Sequence, residues 1–329
     1  MIRFGTIGTN WITDAFLQAA REVPGFALAA VYSRSRETAE AFAAKHEAAL
    51  VFTDMESMAA SKEIDAVYIA SPNSLHAEQA VLFMKHGKHV LCEKPLASNE
   101  AEARLMTEAA KENGVLLMEA VKSTLLPAFG LIRENLHKIG PVRRYFASYC
   151  QYSSRYDAYK QGTILNAFNP AFSNGALMDI GVYCLYPLVV LFGKPDTVKA
   201  SGLVLQSGVD GEGSMVMQYP EMDAVVMYSK ITDSALPSEI QGENGSIRID
   251  RIHTPEKVEL RYRNGEVEDL TSLLQRPAMY YETAEFIRLI QMGERESAVN
   301  SHQASLITVG IMDEARKQMG IVYPADRKR

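Results

Sequence analysis

Cysteine is scarce in this sequence, and the few cysteines present form no pattern. Three occur, Cys92, Cys150 and Cys184, and none belongs to a Cys-x-x-Cys pair. A disulfide framework needs more cysteines at closer spacing. The seven histidines show no metal-ligand spacing either. We therefore expect no metal site and a reducing, cytoplasmic compartment.

A surplus of positive charge and a long apolar run are also missing. Lys and Arg number 34 against 40 Asp and Glu, so the net charge is −6, a poor match for nucleic acid or an anionic membrane. The most apolar region, 177–192, contains Asp179 and Pro187 and falls short of about 18 apolar residues. Asn10 and Asp14 interrupt the stretch where an export signal would lie. We expect neither a nucleic-acid partner nor a membrane segment.

The chain is long enough for two domains, since its 329 residues exceed the usual size of one domain. The first 120 residues alternate short apolar runs with amphipathic segments, which predicts parallel strands joined by helices. The predicted strands are 2–7, 27–32, 66–70, 89–92 and 115–118, with helices at 11–22, 35–46 and 99–112 between them. This is the pattern of an α/β fold with a doubly wound, Rossmann-type parallel sheet.

The pattern changes after Pro127. The later predicted elements are a helix at 128–137, a strand at 142–151, several strands within 198–270, and helices at 279–292 and 302–319. Turn signals between consecutive strands favour an open, largely antiparallel sheet in an α+β domain. We divide the chain into domains 1–121 and 122–329.

A candidate dinucleotide loop follows the first strand. Such a loop needs a glycine turn and a helix whose N-terminal N–H groups face a pyrophosphate. Gly8 fits the first position of the G-x-G-x-x-G/A pattern, but Asn10 and Thr13 occupy the other two. Asn tolerates positive φ better than other residues except Gly, so we expect the turn to form. Gly8, Thr9, Asn10, Trp11 and Ile12 are candidate cofactor residues, with an ordinary βα turn as the alternative.

The second strand ends in Ser33 and Arg34. An NAD site usually has an acid here, about 20 residues after the glycine turn, for the ribose hydroxyls. No acid is present, whereas Ser33 and Arg34 suit a 2′-phosphate, which favours NADP over NAD. Alternatively, Arg34 and Arg36 only begin a solvated helix. Cations are slightly unfavourable there, which supports the presence of an anion.

Polar residues follow two further strands, where ligands of open α/β sheets bind. Residues 71–76 read SPNSLH, and 93–95 read EKP. Lys94, fixed by the following proline, can direct a positive charge at a substrate oxygen beside a nicotinamide ring. The alternative for Glu93 and Lys94 is a surface ion pair of little energetic value.

Asp179 and Tyr183 stand four residues apart in an apolar segment. In a helix this spacing places both side chains on one face. A carboxylate and a phenol there suggest a catalytic face. A helix-capping Asp and a buried core Tyr are the alternative interpretation.

Five motifs in this order make the chain resemble the Gfo/Idh/MocA oxidoreductases. They are GTNWI at 8–12, SPNSLH at 71–76, EKP at 93–95, MEA at 118–120 and DIGVY at 179–183. The resemblance covers nearly the whole chain. It implies a cofactor domain followed by a substrate-binding and oligomerisation domain, whose open sheet would form a homodimer or homotetramer.

The resemblance also implies residue roles. Lys94 would be the catalytic lysine with a cis bond to Pro95, and Tyr183 the acid/base, as in the branch of glucose-fructose oxidoreductase and dihydrodiol dehydrogenase. Asp179 would orient a second substrate hydroxyl. The implied cofactor set adds Ser71, Asn73, His76, Glu93 and Lys94 to the residues above. The sequence departs from the family at Asn10 and Thr13, and at residues 122–124, where relatives often have an aromatic residue and an arginine.

The reaction implied is hydride transfer between NAD(P) and a carbinol or carbonyl carbon of a sugar, polyol or diol. A tyrosine has an unperturbed pKa of about 10, so Tyr183 needs a cation such as Lys94 to act as a base near neutrality. A non-catalytic NAD(P)-sensing regulator on the same scaffold remains an alternative, as does an oxidoreductase acting on biliverdin or another non-sugar acceptor.

Overall fold

The structure is a computed structural model in which residues 1–327 are described. The chain divides into two compact units. The first contains Met1–Ala120 and Arg276–Ser305, and the second contains Val121–Gln275 and the described chain from Leu306 onward. The division expected from the sequence, 1–121 and 122–329, differs from this in two places: Val121 lies in the second unit, and segment 276–305 lies in the first.

The first unit is built on a parallel sheet. Its described strands are β1 (Ile2–Ile7), β2 (Phe26–Tyr32), β3 (Leu50–Phe52), β4 (Ala66–Ile69), β5 (His89–Glu93) and β6 (Leu117–Ala120), in the order β3-β2-β1-β4-β5-β6. Neighbouring strands in this sheet all pair in parallel, which confirms the doubly wound Rossmann prediction. The sequence pattern did not predict β3, which has only three residues and lies at an edge of the sheet.

Helices connect these strands. They are α1 (Trp11–Ala20), α2 (Arg36–His46), α3 (Met55–Ala59), α4 (His76–Lys85) and α5 (Glu100–Glu112). Ser35 and Asn99, expected as first helical residues, are N-caps instead. The Ser35 hydroxyl accepts a hydrogen bond from the Thr38 N–H, and the Asn99 side chain accepts one from the Glu102 N–H. Each helix therefore begins one residue later than predicted.

Segment 276–305 joins the first unit through apolar packing. It contains α9 (Ala278–Met292), which packs against α1. Phe286 is fully buried, and its ring centroid lies 5.8 Å from that of Phe4 in β1. The Asn300 side-chain amide donates to the Glu119 carbonyl at 3.0 Å. These contacts join residues far apart in the sequence, where no local pattern indicates them.

The second unit is built on an open mixed sheet. Its described strands are β7 (Val142–Cys150), β8 (Thr197–Val204), β9 (Asp210–Gln218), β10 (Asp223–Ser229), β11 (Ser238–Gly242), β12 (Gly245–Ile249), β13 (Val258–Tyr262) and β14 (Val267–Asp269). Their order is β14-β13-β12-β11-β7-β10-β9-β8. Among them, β7 and β10 pair in parallel and the other pairings are antiparallel. The largely antiparallel sheet is thus confirmed.

The remaining helices are α6 (Pro127–Asn135), α7 (Ser154–Lys160), α8 (Val182–Phe192) and α10 (His302–Met319). Pro170–Phe192 is long and apolar enough to cross a membrane by length and composition, contrary to the expectation that this region falls short. However, 72% of its apolar window is buried within the structure, as in the core helix of a globular domain. Packing therefore accounts for its composition, and length and hydropathy alone are weak evidence for a span.

Candidate functional site

The parallel sheet brings the predicted cofactor residues to one edge. Strands β2, β1, β4 and β5 are consecutive neighbours, and all point the same way. Their carboxyl ends lead into Ser33, Gly8, Ser71 and Lys94, respectively. This edge includes the point where the strand order reverses, between β1 and β4, which is where ligands of such sheets bind.

Gly8 is required by the geometry of this edge. Its φ is +107°, a conformation that L side chains rarely adopt. A Cβ atom on Gly8 would lie 2.6 Å from the carbonyl oxygen of Ala70, which follows β4. The backbone after β1 therefore passes close to the end of β4, leaving a turn of the kind that a dinucleotide needs.

Asn10 does not have the positive φ expected of it. Its φ is −100° and its ψ is 178°, so the residue is extended and acts as the N-cap of α1. Its amide oxygen accepts from the N–H groups of Ile12 at 3.0 Å and Thr13 at 3.4 Å, and its amide nitrogen donates to the Ala70 carbonyl at 3.1 Å. Asn10 thus takes two N–H groups that the glycine pattern leaves to a phosphate, and ties α1 to the end of β4.

The end of β2 presents one uncommitted cation. Arg34 is exposed and forms no ion pair with any described residue, whereas Arg36 pairs with Glu40 at 3.1 Å. The Ser33 hydroxyl accepts from the Ser35 N–H at 3.4 Å. The guanidinium of Arg34 is therefore available to an anion, as a 2′-phosphate requires.

His76 lies between two strand-end loops. It is fully buried, with Nδ1 3.0 Å from the Pro95 carbonyl oxygen and Nε2 3.0 Å from that of Ser71. Burial lowers the pKa of the imidazole, so the ring is neutral and donates through one of these nitrogens. Its contacts fix the loop after β4 against the cis Lys94–Pro95 peptide after β5.

Two buried carboxyl groups help to fix the chain before and after Lys94. Glu93 accepts a hydrogen bond from the Tyr68 hydroxyl at 2.6 Å. Glu119, at the end of β6, accepts from the Leu96 N–H at 2.9 Å. Burial raises the pKa of Glu119 to about 7, and the nearby Glu93 adds to this effect. The sequence indicated Glu119 only as part of a motif and gave no sign of its role in fixing this turn.

In the second unit, Asp179 and Tyr183 do not share one regular α-helix. Asp179 lies in a π-helical turn, Leu177–Gly181, and Tyr183 lies in the first turn of α8. Such turns often mark functional sites. The Asp179 carboxylate forms an ion pair with the ammonium of Lys230, which the sequence motifs did not single out.

Tyr183 packs beside two aromatic rings that the motifs also missed. Its centroid lies 6.0 Å from that of Tyr149 and 6.3 Å from that of His253. Tyr149 and His253 stack face to face at 4.1 Å. Burial lowers the pKa of His253 to about 4, helped by the cation of Lys122, so the imidazole is neutral near pH 7. Metal-ligand spacing, the signal applied to the histidines, does not detect a stacked ring of this kind.

A polar pocket of about 280 Å³ opens beside Asp179. Its lining consists of Gln151, Tyr152, Ser153, Ser154, Arg155, Asp179, Ile180 and Lys230. Lys230 directly follows β10, just as Lys94 follows β5. Applying the strand-end rule to the second sheet would have identified it. Among residues 1–327, no group of three His, Cys, Asp or Glu side chains is placed to hold a metal ion.

Two family models match the chain. The GFO/IDH/MocA oxidoreductase model, with its NAD-binding Rossmann fold, matches residues 2–121, and the GFO/IDH/MocA C-terminal domain model matches residues 135–248. The scyllo-inositol 2-dehydrogenase (NADP(+)) IolU of Bacillus subtilis is 62% identical over 99% of this chain and 100% of its own length. The trans-1,2-dihydrobenzene-1,2-diol dehydrogenase of Danio rerio is 32% identical over 99% of both chains.

The fold recurs in solved structures. Levoglucosan dehydrogenase, in complex with NADH and levoglucosan, superposes with a TM-score of 0.82 at 23% identity. The match covers 96% of this chain and 98% of that one. At 23% sequence identity, this structural similarity shows a shared fold.

Replacing Glu119 by Gln is expected to flatten the pH dependence of stability. The pKa of this carboxyl is raised from 4.5 to about 7 in the folded protein, so folding favours the protonated form. Its contribution to stability is complete below pH 4.5 and is lost as the pH rises through 7. Over this window the free energy of unfolding, measured with urea, should therefore fall by roughly 3 kcal/mol more in the wild type than in E119Q.

Glu108→Gln is the matched control, since Glu108 is exposed on α5. It should leave the pH dependence of the unfolding free energy unchanged. Equal pH dependence in the wild type and E119Q would contradict the assignment.

Proposed function

The chain belongs to the Gfo/Idh/MocA family of oxidoreductases, and we propose that it is an NADP-dependent dehydrogenase acting on a CH–OH group of a polyol. The observation that carries this proposal is the full-length, 62% identity with an NADP-dependent scyllo-inositol 2-dehydrogenase. Scyllo-inositol is accordingly the first substrate to test, within the wider class of sugars, polyols and diols.

The residues at the carboxyl edge of the parallel sheet fit NADP. The turn at Gly8 leaves room that a Cβ would fill, and Arg34 is a cation without a protein partner among the described residues. We assign the pyrophosphate to the turn of residues 8–12, apart from the Ile12 N–H, which Asn10 caps. We assign the 2′-phosphate to Ser33 and Arg34, and the nicotinamide ribose to Asn73 and Glu93. Ser71 and His76 shape the loop beside them. When bound, NADP supplies the nicotinamide that accepts or returns the hydride.

Three side chains carry the proposed chemistry. The Lys94 ammonium stabilises the negative charge that develops on the carbinol oxygen. The Tyr183 hydroxyl takes up or returns the proton of that oxygen. Asp179 accepts a hydrogen bond from a neighbouring substrate hydroxyl and so orients the ring. The first unit then serves cofactor binding, and the second serves substrate binding.

Substituting Lys94 by Met or Tyr183 by Phe is expected to lower kcat by about 100- to 10,000-fold, because each removes a group acting on the reacting oxygen. The measurement is NADPH formation with scyllo-inositol and a panel of sugars and diols, with NAD⁺ run in parallel. Lys85→Met, on the exposed surface of α4, is the control and should keep wild-type rates.

Full activity of the Lys94 variant on a confirmed substrate would overturn its assigned role. If the wild type binds NADPH in a fluorescence titration but turns over no member of the panel, the alternative of a non-catalytic cofactor sensor is favoured.

Arg34→Ala is expected to raise the KM for NADP⁺ by about 10- to 100-fold, as expected for the loss of a charged hydrogen bond. The KM for NAD⁺, which has no 2′-phosphate, should change little. Arg36→Ala removes the same charge from a residue already paired with Glu40, and should leave the ratio of the two KM values unchanged. An equal rise for both cofactors would show that Arg34 does not read the 2′-phosphate.

We also propose that the enzyme works in the cytoplasm as a homodimer or homotetramer joined through the sheet of the second unit. In support, Cys92, Cys150 and Cys184 are free, and β8 and β9 expose the apolar side chains of Leu203, Val204 and Val216. Sedimentation of protein purified from the cytoplasmic fraction should give a dimer or tetramer. Val216→Lys should shift the mass toward the monomer, and a monomeric wild type would refute the proposal.

A further inference from the structure

Lys230 is fixed where three parts of the second unit meet. Its backbone N–H donates to the Gly211 carbonyl in β9 at 2.9 Å, and its own carbonyl accepts from the Ser153 N–H, at the start of α7, at 2.9 Å. Its side chain reaches Asp179 in the π-helical turn. The position of the lysine is therefore set by the sheet and does not depend on the mobility of a long side chain.

The Lys230 side chain is only 4% exposed, which is unusual for a lysine. A buried ammonium is strongly unfavourable without a partner. Asp179 supplies the opposite charge, and the ammonium also lies 5.6 Å from the ring centroid of Phe168. Lys230 in turn restricts the direction of the Asp179 carboxylate.

The backbone of the π-helical turn is anchored as well. The buried carboxylate of Asp210 accepts a hydrogen bond from the Leu177 N–H at 2.6 Å, at the start of this turn. Asp210 therefore holds the start of the turn that carries Asp179, and Lys230 holds the Asp179 side chain.

This ion pair faces the polar pocket. Asp179 is 29% exposed, and both members of the pair line the pocket together with residues 151–155. A carboxylate offers only acceptors and an ammonium only donors. A pair fixed side by side thus presents one acceptor next to one donor, which matches two adjacent hydroxyl groups, each able to donate and to accept.

We propose that Lys230 is a positioning and specificity residue that holds Asp179 as an oriented carboxylate, and that the pair binds two adjacent hydroxyl groups of the substrate. This assignment rests on the proposed polyol dehydrogenase function. It narrows the substrate class to vicinal diols and polyols and predicts poor binding of simple alcohols.

The test compares two competitive inhibitors of scyllo-inositol oxidation, trans-cyclohexane-1,2-diol and cyclohexanol. In the wild type, the diol should bind about tenfold or more tightly than the alcohol, the value of a charged hydrogen bond. In K230M this preference should fall to near unity, and KM for scyllo-inositol should rise about tenfold or more while kcat changes less. K230R, which keeps the charge, should retain part of the diol preference.

Lys88→Met is the matched control. Lys88 is a half-buried lysine of the first unit that donates to the Ser61 and Ile64 carbonyls. Its loss should lower stability without altering the ratio of the two inhibition constants. A general loss of packing should thus lower the melting temperature in both lysine variants, whereas the preference for the diol over the alcohol should fall only in K230M.

The outcomes separate the two proposals. Turnover by the wild type with no preference for the diol, or an unchanged preference in K230M, overturns the role of Lys230 and leaves the dehydrogenase function intact. Absence of wild-type turnover on every polyol overturns both. If K230M does not fold, D179N replaces it, and a diol preference that persists in D179N counts against the pair.

Discussion

The approach of the Ala70 carbonyl to Gly8 is the constraint on which the first unit depends. It sets the distance between the ends of β1 and β4, and a side chain at Gly8 would collide with it. The same oxygen accepts a hydrogen bond from Asn10, which fixes the start of α1. One backbone carbonyl thus determines both the course of the turn and the position of the helix, and the departure from the usual glycine pattern leaves the turn intact.

Hydrogen bonds from buried polar groups also fix the loops at the neighbouring strand ends. His76 connects the loops after β4 and β5, and Glu119 holds the residue after the cis Lys94–Pro95 peptide. The second unit uses the same device with an ion pair, since Lys230 and Asp179 fix each other at the end of β10. In each case a buried group that is costly without a partner holds a neighbouring segment in a defined place.

Local patterns predicted most of the fold and the strand ends at which the candidate site residues lie. Alternating apolar runs located β1 to the residue, and the strand-end rule found Lys94 and the loop of Ser71. The failures have physical causes. The glycine pattern predicts a positive φ at Asn10. The residue is extended instead, because in this conformation its side chain caps the first N–H groups of α1 and stabilises the helix. Lys230 and His253 matter through neighbours distant in the sequence, and periodicity carries no information about such contacts.

The return of segment 276–305 to the first unit has a consequence for synthesis. Helix α9 covers part of α1, and Phe286 completes the packing around Phe4. Domains generally fold as units while the chain leaves the ribosome, the N-terminal one first. Here the first unit stays incomplete, with an apolar surface uncovered, until residue 305 has emerged, by which time all the strands of the second sheet have already been made. Folding of the two units is thereby linked in time, although their sheets are separate.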